Sequence, residues 1–283
     1  MALENFIPEI WSARVLENLR KSLVYAQAGV VNRDYEGDIR EAGDTVHINA
    51  IGPVTIGTYT KNADMSAPET LTDSAYTLTI DRARYFNFLI DDVDRAQQRP
   101  KVMDAAMAEA AYALADDLDQ YVASLYTGVA AGNTIGSDAS PIVPTANTAY
   151  EYLVDLAVLL DDAKVPRANR WVVVPPWYHG LLQKDARFVS SGGAQAEQTL
   201  RNGEIGQAAG FRVLVSHNVP NTTGAKYKII AGHPMAISVA SQVSKVEAYR
   251  PERRFADAVK GLHLYGAKLL RPAGIAVLTA NKS

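Results

Sequence analysis

The sequence predicts an α+β fold. Three observations carry this: a long amphipathic helix pattern from Pro100 to Thr127, short runs of strand composition on both sides of it, and no regular period of a barrel or solenoid. The 283 residues suffice for one large domain or two intimate ones. A chain of this size buries roughly 75% of its surface and needs no staples. Hydrophobic residues make up 48% and charged residues 21%, which excludes wholesale disorder.

The first 24 residues read as a helix, with Pro8 in its first turn and Trp11, Val15, Leu19 and Leu23 at spacings of four. Residues 30–43 read as loop and short strand, and Thr45–Asn49 alternates as a half-buried strand. Residues 54–60 and 70–80 are rich in Thr and Tyr and have strand composition, with the polar stretch 61–67 as their turn. They predict a long hairpin with few apolar residues. An isolated two-stranded ribbon is marginal in water, so the hairpin needs a surface to lie on, its own domain's or a neighbour's.

The helix over 102–125 places Met103, Met107, Ala110, Leu114, Leu118, Tyr121 and Leu125 on one face and assigns Asp116, Asp117 and Asp119 to the polar face. Residues 130–145, rich in Gly, Ala, Ser and Pro, read as a linker and a domain boundary. Thr148 to Glu151 matches a capping box before a second helix. Trp171–Val174 reads as a buried strand, 177–184 as a short helix and 190–210 as a glycine-rich loop. Strands follow at 211–216 and 226–231, a short helix at 233–242, and strands again at 245–250, 261–270 and 275–280.

Chemistry-bearing motifs are sparse. The net charge of −3 argues against a sequence-independent nucleic-acid binder, which needs a basic surplus. Cysteine is absent, which excludes disulfides, thiolate metal sites and a cysteine nucleophile. The start, with Glu4 and Glu9, does not read as a signal peptide, and no run of 18 apolar residues occurs. The five histidines are scattered, without the i, i+4 spacing of a helical zinc site. Asp91, Asp92 and Asp94 resemble a metal-binding cluster, but Arg82, Arg84, Arg95 and Arg99 flank them, as in an ion-paired interface or solvated turn. Neither a dinucleotide fingerprint, a P-loop nor a Gly-x-Ser-x-Gly elbow is present. A basic excess over 250–271 suits acidic patches on a sister subunit better than phosphates.

Four stretches carry a family resemblance: IPEIWSARVLENLRKSLVYAQAGVVNRDYEG, GDTVHINAIGPVTIGTYTK, GEIGQAAGFRVLVSHNVP and VEAYRPERRFADAVKGLHLYGAKLLRP. With the order of elements, the chain resembles a tailed-bacteriophage major capsid protein of the Hong Kong 97-like fold. That resemblance implies a long spine helix, an extended β-hairpin loop, and peripheral and axial domains. Residues 1–40 become the N-terminal arm; 41–50, 85–129 and 236–283 the peripheral domain; 51–84 the extended loop; 130–235 the axial domain. The implied function is self-assembly into pentamers and hexamers of an icosahedral shell around double-stranded DNA, with no catalytic residue, cofactor or metal.

By position in that layout, Trp11 and Leu19 are arm anchors, and Tyr59, Lys61 and Tyr76 extended-loop contacts. Arg82, Arg84, Asp91 and Asp92 form intersubunit ion pairs, and Arg253 and Arg254 face acidic neighbours. Some relatives lock the shell by an isopeptide bond from an extended-loop lysine. Lys61 lies in that region, but nothing in the sequence identifies its asparagine partner. The chain lacks a long charged N-terminal extension, which implies a separate scaffolding protein beside the portal and any decoration protein. The resemblance places the protein in the virion, assembled in the bacterial cytoplasm, with no membrane partner. Two other readings stay open: an encapsulin-like compartment of the same fold, and a metal-dependent enzyme built on the Asp91, Asp92 and Asp94 cluster.

Overall fold

Alanine-rich sequence builds the element against which the rest packs. Helix α1, Val102–Ser124, runs 23 residues, about 35 Å, and ends in a 3-10 turn at Leu125–Gly128. Its buried face is Met107, Ala111, Leu114, Ala115, Leu118 and Val122, one step round from the expected one. Ala110, Tyr121 and Leu125 sit only half-buried at its border. The small alanines let neighbouring elements approach the helix axis closely. The computed structural model describes residues 24–34, 45–51, 56–59, 61–62, 64, 73–91, 102–185, 187, 206–252 and 256–282.

Among the described residues, twelve strands form three sheets. Strands β1 (Thr45–Ile51) and β2 (Asp73–Thr79) make an antiparallel ladder. Strand β3 (Arg82–Asp91) joins the two long strands β10 (Ile237–Tyr249) and β11 (Ala256–Leu269) in the order β10-β11-β3. The third sheet runs β4 (Thr134–Ile135), β12 (Ile275–Asn281), β9 (Lys226–Gly232), β5 (Trp171–Val174), β7 (Phe211–Val215), β6 (Gln207–Ala208), with β8 (Asn221–Thr222) on β9. Two of its pairings, β4 with β12 and β5 with β7, are parallel. All four residues of β5 are buried because both faces are covered. Trp171 and Val173 point into the α1 core; Val172 and Val174 point into a second core under helices α2 (Ala149–Asp162) and α3 (Pro176–Lys184).

Several expectations need correction. The strand partner of β2 is β1, not residues 54–60, of which Ile56–Tyr59 carry no strand. Residues 237–242 are strand rather than helix: Ile237 and Val239 pack on the α1 core, and β11 supplies their ladder. The stretch 130–145 is not a linker but part of the third sheet, through β4 and a bridge from Ile142 to Ala280. Lys228, buried on β9, holds it by donating to Asp138 Oδ1 (2.5 Å) and Thr279 Oγ1 (3.1 Å). That bond pulls the Asp138 carboxyl below its ordinary range. Thr148 does not cap α2; its Oγ1 instead accepts the Thr145 N–H at 2.9 Å. Within 190–210, Gln207–Ala208 form strand β6. The helix expected over the first 24 residues lies outside the described residues but for its last one.

Asp119 overturns the polar-face reading of α1. It is 2% exposed, and its Oδ1 accepts the backbone N–H of Val24 (2.9 Å) and Tyr25 (2.6 Å). Asn218 Nδ2 donates to its Oδ2 (3.1 Å) and to Asp116 Oδ1 (2.6 Å). Burial raises the Asp119 pKa, against the pull of these hydrogen bonds. Residues 24–34 then cross to β10, where Asn32 exchanges hydrogen bonds with Ile237 O and Val239 N, both at 2.9 Å. Asp119→Ala orphans two buried N–H groups and should cost about 2–4 kcal/mol. Asp116→Ala, at a half-exposed site, should cost under about 1 kcal/mol. Denaturant midpoints of the two purified variants check the contrast.

Candidate assembly surface

The register of β10, β11 and β3 sorts their side chains onto two faces. One face looks onto α1. Phe86 and Phe88 pack there, the Arg82 guanidinium lies over the Tyr121 ring at 4.2 Å, and Arg84 Nε donates to Asp117 Oδ2 at 3.0 Å. The Tyr265 hydroxyl donates to the same Asp117 oxygen, and burial together with that carboxylate raises its pKa to about 12. Arg82 and Arg84, expected to reach a neighbouring subunit, therefore have partners on α1 of their own chain.

The other face is divided in two. Over one half lies the base of the β1–β2 ladder: Leu78 and Ile80 pack with Ala240 and Leu264, and Ile48 and Leu262 border them. Lys268 Nζ donates to Thr77 O at 2.7 Å. The approach is backbone to backbone at Gly266, where a Cβ would collide with Thr79 O and stand 3.0 Å from Ile80 Cα. Glycine is needed there for space, not for an unusual φ.

The second half is open. Three rows cross it: Tyr85–Leu262–Lys245, Asn87–Lys260–Glu247 and Leu89–Ala258–Tyr249. Tyr85 is 77% exposed and Leu89 45%. The first two rows border a groove of about 320 Å³. Glu247 takes Lys245 and Lys260 as ion partners, the latter at 3.0 Å, and the two lysines hold its carboxyl below its ordinary range. The Tyr249 hydroxyl accepts from Asn87 Nδ2 at 3.1 Å, and Lys260 Nζ sits 5.2 Å from the Tyr249 ring centre. Exposed Tyr85 and Leu89 stand on either side of this charged row, and such a mix of aromatic, apolar and charged groups suits an interaction site.

The segment beyond the β1–β2 ladder presents matching side chains. Ile56 is 95% exposed and Tyr59 69%. Lys61 and Asn62 form an exposed turn, with Asn62 at a φ of 64°, a left-handed conformation that asparagine tolerates. Tyr76, opposite Ile48 in the ladder, is 40% exposed. Of the other expected site residues, Asp91 ends β3 opposite Ala256. Trp11, Leu19, Asp92, Asp94, Arg253 and Arg254 lie outside the described residues. Among the described residues, no three His, Asp or Glu side chains could together hold a metal ion.

Tyr85, Leu89, Tyr249 and Gly266 were not singled out in the sequence. A signal for the first two is there: β3 alternates Phe86 and Phe88 with Tyr85 and Leu89, apolar on both faces, so each face needs a cover.

A family model described as phage capsid protein matches residues 72–278 of the chain. The chain belongs to the phage capsid protein family. No curated protein matches it, but solved structures do. The capsid protein is similar over 98% of both chains to a structure from Mycobacterium phage Che8, at 29% identity and a TM-score of 0.72. The capsid of Ralstonia phage GP4 shares its fold at 14% identity, with a TM-score of 0.70, over 93% of this chain and 90% of that one. A virus-like particle from Pyrococcus furiosus shares it at 13% identity and a TM-score of 0.56, over 95% and 98%. The α+β, Hong Kong 97-like expectation is borne out, with a major capsid protein of a tailed phage as the identity and the virion shell as its place.

Replacing Gly266 by valine should lift the β1–β2 ladder off the sheet of this capsid protein. Limited proteolysis should then cut residues 73–81 at least about tenfold faster than in the parent, with α1 still protected. Unchanged cleavage would show that the ladder is held elsewhere.

Proposed function

We propose that the chain builds its shell by laying the segment of one copy that carries exposed Ile56 and Tyr59 on the open β10–β11–β3 face of the next. The observation that supports this is the exposure, on the same chain, of Ile56 and Tyr59 and of Tyr85 and Leu89. A ring of identical subunits needs two complementary patches, and these are two. Each contact is small; repeated around pentamers and hexamers, such contacts add through high effective concentration.

The layout that goes with this is an arm at 1–40, a peripheral domain at 41–50, 85–129 and 236–283, an extended loop at 51–84 and an axial domain at 130–235. Leu78 and Ile80 of the extended loop belong to the subunit's own core, so only the part beyond the ladder reaches out. Trp11 and Leu19 anchor the arm, Tyr59, Lys61 and Tyr76 make loop contacts, and Asp91, Asp92, Arg253 and Arg254 pair across subunits. Arg82 and Arg84 set the tilt of β3 on α1 and act on the interface through it. The protein is structural, not catalytic. It assembles in the bacterial cytoplasm with a separate scaffolding protein, a portal and any decoration protein, and its near-neutral wall holds double-stranded DNA without gripping its sequence. The fold shared with the Pyrococcus furiosus particle supports a second reading, a compartment that carries no genome.

Electron microscopy of the purified protein tests the proposal. Shells, rings or sheets are expected from the parent chain. Replacing residues 54–71 by a short Gly-Ser turn, which leaves β1 and β2 intact, should give a folded subunit that no longer closes shells. A parent chain that stays monomeric at high concentration, or a shortened chain that still closes shells, contradicts the reading.

A further inference from the structure

The groove on the open face holds one cation more than it needs. Lys245 stands two residues before Glu247 on β10, and Lys260 stands opposite Glu247 on β11. Both pair with that one carboxylate, and together they keep it ionised. The rest of the lining, Tyr85, Asn87, Gly261 and Leu262, carries no charge. One carboxylate cannot occupy the six N–H donors of two ammonium groups. The lysine side chains are 69% and 51% exposed, so the spare donors face outward.

The segment carrying Ile56 and Tyr59 presents the opposite charge. Asp64 follows the Lys61–Asn62 turn and is exposed. It has no ion partner among the described residues. Its spacing also fits. Five residues from Tyr59 to Asp64 reach at most about 17 Å. Tyr85 and Lys245 lie in one row across the sheet, two strand spacings or about 10 Å apart. A segment that rests Tyr59 beside Tyr85 can therefore set Asp64 between the two lysines.

We propose that this groove is a carboxylate receptor: Lys245 and Lys260 of one copy take Asp64 of the next and share it with Glu247. The receptor rests on the reading above, in which the segment with Ile56 and Tyr59 lies on the neighbour's open face, and it adds the charge that fixes the register. Apolar contacts tolerate sliding along a strand, whereas an ion pair does not. A slip of two residues along β11 takes the carboxylate from Lys260 to Leu262 or Ala258, which offer it no side-chain partner. Lys61, on the same turn, would add a third cation and is kept out of the groove.

Shell assembly from purified full-length chains tests the receptor, read as the lowest protein concentration that gives shells in electron micrographs. It is measured in about 0.1 M and about 1 M NaCl, where the screening length is about 10 Å and about 3 Å. Asp64→Lys and Lys260→Glu should each raise that concentration at least about threefold at the lower salt, and the gap should close at the higher. The chain with both changes mirrors the parent, one cation and two anions facing an incoming ammonium. It should assemble within about twofold of the parent. Lys245→Glu takes the place of Lys260→Glu if the latter chain does not fold. The receptor is overturned if Asp64→Lys assembles like the parent, if the gap is the same at both salts, or if the double variant is no better than either single one. Adding Tyr59→Cys and Tyr85→Cys separates this failure from that of the reading beneath it. Copies that join through these cysteines while the charge changes have no effect sink the receptor alone; copies that assemble without joining sink both.

Discussion

The β1–β2 ladder rests on the three-stranded sheet through a close approach of backbones, Thr79 and Ile80 over Gly266. An isolated two-stranded ladder such as β1–β2 is marginal in water. It is held because Leu78 and Ile80 sink between Ala240 and Leu264, and they reach that depth only because β11 carries no side chain at 266. The ladder's position fixes where the loop beyond it starts, and leaves the rows from Tyr85 to Tyr249 bare. One contact thus sets both halves of the surface that neighbouring copies would share.

The sheet that bears the ladder owes its own place to α1. Phe86, Phe88, Val246, Val259 and Tyr265 pack onto the helix, and Asp117 ties β3 and β11 to it through Arg84 and Tyr265. On its other side, Asp119 fixes the start of residues 24–34. Two acids within one turn of the helix therefore hold residues 24–25 on one side and the sheet on the other. Asp119 is the acid this helix turns fully inward, and N–H donors rather than water meet the cost of its burial.

How much of this was legible in the sequence depended on how local the cause was. Helix α1, β5 and β12 follow from spacing and composition within a few residues. The hairpin partner was misassigned because 45–51 and 54–60 have equal strand composition, and only pairing across the chain decides between them. Residues 237–242 misread as helix because alanine and serine say little until β11 is beside them. Asp119 looked like a solvated acid, since nothing nearby in sequence announces that Val24 and Tyr25 will need an acceptor. The role of Gly266 depends on Thr79, far away in the chain. The exposure of Tyr85 and Leu89 depends on the pairing of β3 with β11, residues far apart in the chain, and was not legible.

The chain has no cysteine, so a designed disulfide reports one contact without background. The most direct measurement is a non-reducing gel of shells assembled from a chain carrying both Tyr59→Cys and Tyr85→Cys, oxidised after assembly. If the loop of one copy lies on the open face of the next, the gel shows ladders of covalently joined chains up to closed pentamers and hexamers. Shells that form normally but run as single chains would contradict the account.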